Sequence, residues 1–85
     1  MNHGAAVFDD SLAFVATWFD EMAAVDKRFR LHYYPMDNSV ELIDSKSGKV
    51  HLRRIKNNNI SQDLLYVGSQ VELYGRKYKI VEFAD

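Results

Sequence analysis

The sequence contains no cysteine, a single proline, and four glycines that never cluster. Without cysteine there can be no disulfide framework and no thiolate metal site, and a reducing intracellular compartment is the natural expectation. Scattered glycines supply neither a phosphate-cradling loop nor a dinucleotide fingerprint, so nucleotide chemistry has no obvious seat. No apolar run approaches the length of a membrane span, and the opening MNHGAAVFDDS lacks the basic and apolar regions of a signal peptide. His3, His32 and His51 are the only histidines. None has a second ligand at metal-binding spacing, and no serine, histidine and acid arrangement is visible. No cofactor, metal or catalytic residue is therefore expected.

What is present is a folded chain: 47% of the residues are hydrophobic and 13% aromatic. Its 85 residues make one small domain, of a size that buries only about 60 to 65% of its unfolded surface and has a thin stability margin. Charge is unevenly placed. Residues 1 to 26 carry five acids and no lysine or arginine, whereas residues 27 to 85 carry eleven bases against seven acids. Residues 1 to 11 are expected to be an acidic flexible leader, and residues 12 to 85 a single domain.

Strand periodicity dominates that domain. LAFVATWF, Leu12 to Phe19, is too short and too rich in β-branched and aromatic residues for a helix and predicts a buried strand. An acidic loop or single helical turn, Asp20 to Asp26, should follow. In KRFRLHYY, Phe29, Leu31 and Tyr33 alternate with Arg28, Arg30 and His32, as in a strand with one buried face. Pro35 ends it, and PMDN predicts a turn in which Asn38 tolerates positive φ.

SVELID returns as the partner strand, SKSG makes the next turn at Gly48, and KVHLRRI should send Val50 and Leu52 inward while His51 and Arg53 face out. NNNISQDLLYVG breaks the pattern. Asn59 or Ser61 is expected to cap one helical turn bearing Ile60, Leu64 and Leu65, closed by Gly68. QVELYGRKYKIVEF reads as a hairpin turning through Gly75 and Arg76, in which Val71, Leu73, Ile80 and either Val81 or Phe83 supply apolar contacts. About six short strands with turns between them predict a mainly β fold, either a small antiparallel barrel or a pair of packed sheets.

Basic residues fall in three groups: Lys27, Arg28 and Arg30; Lys46, Lys49, Arg53, Arg54 and Lys56; Arg76, Lys77 and Lys79. If aligned they would attract an acidic partner. Nucleic acid is disfavoured, because the pI is about 6.3, whereas a binding domain of that kind usually exceeds about 9. Five tyrosines are more than so small a core absorbs, which places some of them at an interface.

FVATWFD, RLHYYPMDNSVELID, LRRIK and ISQDLLYVGSQVELYGRKYKIVEF together resemble the DM-ten domain of ciliary and flagellar axonemal proteins. The likeness runs from about Phe14 to Asp85, and its most specific block is Y-Y-P-x-D-x-S-V-E at Tyr33 to Glu41. Within that family the short link from Asp44 to Leu52 is nearest to the branch attached to nucleoside diphosphate kinase domains. The resemblance implies a fold like the pleckstrin-homology barrel. It also implies a non-catalytic module that docks its parent onto tubulin or doublet microtubules of the axoneme, in the lumen for several relatives, with cilium, flagellum or basal body as its location.

Contact residues expected on that reading are Arg28, Arg30, Tyr34, Met36, Lys49, Arg53, Arg54, Lys56 and Tyr74. Two departures stand out: Met36 occupies a turn position where relatives often have glycine or a polar residue, and the sequence ends where relatives continue. A barrel without its closing carboxy-terminal helix is expected to be partly open and to offer an uncapped face for self-association. The alternatives are a phosphoinositide or anionic-membrane module and an accessory assembly domain for attached kinase domains.

Overall fold

A chain with alternating apolar and polar side chains forms strands whose one face must find cover. In the computed structural model, which describes residues 11–84, that cover comes from the sheet curling on itself. The strands are β1 (Leu12–Asp20), β2 (Val25–Tyr34), β3 (Ser39–Asp44), β4 (Val50–Lys56), β5 (Gln70–Leu73) and β6 (Arg76–Phe83). All neighbours are antiparallel, in the order β4-β3-β2-β1-β6-β5, and a 3₁₀ turn, Gln62–Leu64, lies in the crossover from β4 to β5. The fold is mainly β, six antiparallel strands forming a curled half-barrel, with no α-helix among the described residues. The expected leader lies outside the described residues except for Ser11, as does His3.

The inner face carries Phe14 and Ala16 from β1, Phe29, Leu31 and Tyr33 from β2, Val40 and Leu42 from β3, and Tyr78 and Ile80 from β6, all buried. Ile60 and Leu65 in the crossover dip into the same cluster and plug the curl. Leu64, expected beside them, is 45% exposed. The 3₁₀ turn is too short to place Leu64 and Leu65 on one side, and Leu65 takes the inward position. Ser61 stands at the N-cap position, but its hydroxyl turns to Asp63 Oδ1 at 2.5 Å rather than to the backbone.

The first three hairpins are each fastened by an aspartate. Asp20 Oδ1 accepts the amides of Met22 and Ala23 at 3.0 and 3.2 Å, and Asp44 Oδ1 accepts those of Lys46 and Ser47 at 2.8 and 3.0 Å. Asp37 accepts the Ser39 hydroxyl at 2.6 Å. The turn after β2 also reaches far across the fold. Asn38, at φ 56°, donates from Nδ2 to the carbonyls of Asn57 (2.9 Å) and Ile60 (2.7 Å) and accepts the Tyr33 hydroxyl at 2.6 Å. It ties the crossover to the sheet.

Strand β4 departs from simple alternation. Against β3, Leu42 pairs with Leu52 but Ile43 pairs with Val50, and Val40 pairs with Ile55, so β4 holds an extra residue at two places. Each bulge inverts the side-chain phase. Val50, expected inside, is therefore 55% exposed on the outer side, and the ring of His51, expected outside, lies 4.7 Å from that of Phe29. Only Leu52 turns inward as expected.

The last hairpin also differs, because Leu73 pairs with Arg76 and the turn residues are Tyr74 and Gly75 rather than Gly75 and Arg76. Both have positive φ, 51° and 78°, the signature of the tight turn that matches strand twist.

Candidate functional site

Alternation along β2 puts Arg28, Arg30, His32 and Tyr34 together on the outer face. Arg28 is exposed and pairs with Glu82 of β6 at 3.3 Å, whereas Arg30 is half-buried. Tyr34, at the end of the strand, meets Arg54 of β4 across β3: the guanidinium lies 3.6 Å above its ring. Arg54 is held from below as well, since Nε donates to Ser39 Oγ at 2.8 Å and Nη2 reaches Asp37 Oδ2 at 3.3 Å. Ser39, only 1% exposed, is the floor of this cluster. Tyr34 completes it by donating to Glu41 Oε1 at 3.3 Å. Of the expected contact residues, the fold joins Tyr34 and Arg54 directly, and Met36 stands beside them on the β2–β3 turn, 63% exposed.

Lys49, Arg53 and Lys56 lie elsewhere, along the free edge of the sheet. All three are exposed, and with Lys46 in the preceding turn they have no side-chain partner among the described residues. The nearby acids are committed. Asp37 serves Ser39 and Arg54, Glu41 takes the Tyr34 hydroxyl, and Asp44 holds the turn amides. A strip of uncompensated positive charge results.

Tyr74 sits apart, at the tip of the β5–β6 hairpin, 63% exposed. It borders a cleft of about 270 Å³ at the seam between β4 and β6, with His51, Leu52, Leu73, Arg76 and Tyr78. A β-hairpin tip of this kind prefers asparagine before glycine, and an aromatic residue at positive φ there costs about 1 to 2 kcal/mol. We expect Tyr74→Asn to raise stability by about 1 kcal/mol in urea melts. A loss of stability would show that the ring secures the seam instead.

One constellation escaped sequence reasoning. Arg76 lies 4.0 Å over the Trp18 ring and its Nη1 is 3.5 Å from His51 Nε2, while Lys27 stands 5.9 Å from the same indole and 3.1 Å from Asp20. Of these contacts, Arg76 with His51 crosses the seam between β6 and β4, and the others join neighbouring strands. The signal available was the lone tryptophan, but its partners come from β2 and β6 and depend on the register.

The aspartates that fasten the turns are also electrostatically distinct. Hydrogen bonds from Lys27 and then the Ala23 amide lower the Asp20 pKa, the Ser39 hydroxyl and then Arg54 lower that of Asp37, and the Ser47 and Lys46 amides lower that of Asp44. Groups that are more acidic folded than unfolded add stability above the ordinary aspartate range and lose it as pH falls through their folded values. Urea midpoints should thus be level from about pH 5 upward and fall below about pH 4, where unfolded aspartate begins to bind protons. Replacing Asp20, Asp37 and Asp44 by asparagine should flatten that fall. An unchanged slope would assign it to other groups.

Among the described residues no group of three or more histidines and acids is placed to hold a metal ion, and none of the helical segments is long and apolar enough to cross a membrane. Geometry thus defines the class as a small half-barrel β domain whose exposed chemistry is charge along an edge. The DM10 domain model matches residues 3–85, and the chain belongs to that family. It is similar to nucleoside diphosphate kinase homolog 7 of Rattus norvegicus, 33% identical over 76 residues, and to that of Mus musculus, 32% identical over 76 residues. Each match covers 89% of this chain but 19% of the relative, so the chain spans about a fifth of the length of these proteins.

Proposed function

We propose that this domain is a non-catalytic docking module, which attaches a longer parent of the nucleoside diphosphate kinase homolog type to tubulin or doublet microtubules of a cilium or flagellum, the lumen included. The observation that carries this reading is the strip of unpaired cations on an exposed sheet edge, Lys46, Lys49, Arg53 and Lys56. An acidic protein surface such as that of tubulin is its natural counterpart. Arg28, Arg30, Tyr34, Met36, Arg54 and Tyr74 supply further contacts on this reading. Tyr74 fits an interface because its backbone conformation is costly and its ring is exposed.

Copolymerising the chain with tubulin before pelleting tests this, because assembly in its presence leaves a luminal face accessible. The module should pellet with the polymer in a saturable, salt-sensitive manner. Its absence from the pellet at low salt would defeat the proposal.

A further inference from the structure

The geometry points to the β4 edge as a recognition site for an extended acidic peptide, a sharper statement that rests on the docking role proposed above. Several cations elsewhere in the fold are engaged, Lys27 with Asp20, Arg28 with Glu82, Arg54 with Asp37 and Arg76 with Trp18, whereas Lys77 and Lys79 of β6 are exposed and stand opposite Glu72 and Gln70 of β5. Those at positions 46, 49, 53 and 56 form the largest group with no side-chain partner among the described residues. They follow one linear edge, where Lys49 to Lys56 spans roughly 20 Å at the rise of a strand. That length suits about six to eight extended residues.

The two bulges in β4 break the regular ladder that a partner strand would extend. Recognition therefore falls to side chains rather than to backbone pairing. Val50, 55% exposed on the outer side, supplies aliphatic contact beside Lys49, whereas Ile55, 45% exposed, pairs with Val40 of the inner face. Acidic peptide fits this edge better than nucleic acid, because the strip from Lys46 to Lys56 carries no Phe, Tyr or Trp on which to stack a base. Nearby, Tyr34 lies under Arg54 and His51 packs its ring against Phe29. Asp37 and Glu41 on the adjoining surface also oppose a continuous phosphate backbone.

The experiment is an amide NMR titration of the isotope-labelled chain with an oligoglutamate peptide of about eight residues. Shift changes should concentrate between Lys46 and Lys56. The combined change Lys49→Glu, Arg53→Glu and Lys56→Glu should weaken binding about tenfold or more, while Lys77→Glu with Lys79→Glu leaves it unchanged. If the reversed strand does not fold, glutamine at the same three positions gives the same ordering with a smaller loss.

Equal weakening per reversed charge by both sets would show that binding follows net charge alone and would overturn the inference. Tighter edge binding of an oligothymidine, or of phosphatidylserine vesicles, would overturn it too. Peptide binding at the edge without microtubule binding would remove the docking role and leave the acidic-peptide site standing. Microtubule binding that survives all three reversals would do the opposite.

Discussion

Phe29→Ala should cost about 3 to 5 kcal/mol, the loss typical of removing a fully buried aromatic side chain. An 85-residue domain has only about 4 to 13 kcal/mol to lose, at roughly 0.05 to 0.15 kcal/mol per residue. Phe29 is 1% exposed and stands where the curl closes. Its ring meets Tyr78 of β6 edge-on at 5.6 Å and His51 of β4 at 4.7 Å, so its removal loosens both ends of the sheet at once. Melting should shift down by about 12 to 40 °C, at roughly 4 to 8 °C per kcal/mol for a domain of this size. Phe29→Leu, which keeps most of the volume, should cost well under half as much. A melting shift below about 5 °C for the alanine variant would mean that the seam does not depend on this ring.

Asn38→Ala should cost about 2 to 4 kcal/mol through a different route. Three hydrogen bonds vanish, the Tyr33 hydroxyl is left without its acceptor, and alanine must adopt φ near 56°. Glycine relieves only the backbone part and should recover about 1 kcal/mol. Aspartate keeps the acceptor for Tyr33 but sets a carboxylate against the carbonyls of Asn57 and Ile60, and should be no better than alanine.

A double-mutant cycle separates these contributions, because Tyr33→Phe removes the stranded hydroxyl and should cost less in the Asn38→Ala background than in the natural one. Additive losses would show that the two side chains act independently.

Asn38 illustrates what the sequence made legible and what it did not. Its tolerance of positive φ follows from residue type and from Pro35, so the turn can be read locally. Its bonds to Asn57 and Ile60 depend on where the crossover returns, and no spacing rule encodes that. The same division runs through the strands. Phe29, Leu31 and Tyr33 keep perfect alternation and mark the buried face of β2 correctly, because β2 is an interior strand without bulges.

At the edge the signal fails. The apolar residues Val50, Leu52 and Ile55 are too few to fix a phase, and two extra residues shift it, so Val50 and His51 exchange sides. Tyr74 misleads for a related reason: an aromatic residue between two strands reads as strand, and only the pairing of Leu73 with Arg76 shows it to be part of the turn.

The candidate contacts divide in the same way. Exposure of Lys49, Arg53 and Lys56 follows from charge and strand edge. The commitment of Arg54 to Ser39, Asp37 and Tyr34 does not, because it requires the register of β3 against both neighbours. An arginine inside a basic run looks interchangeable with the others until the fold gives it partners.

Docking through a basic edge can be measured as the affinity of the chain for soluble tubulin dimers, whose luminal and outer surfaces are both accessible. Binding should be saturable, weaken about tenfold or more with Lys49→Glu, Arg53→Glu and Lys56→Glu, and persist with Lys77→Glu and Lys79→Glu. Binding that is absent, or indifferent to reversal of the β4 charges in a folded variant, would contradict it.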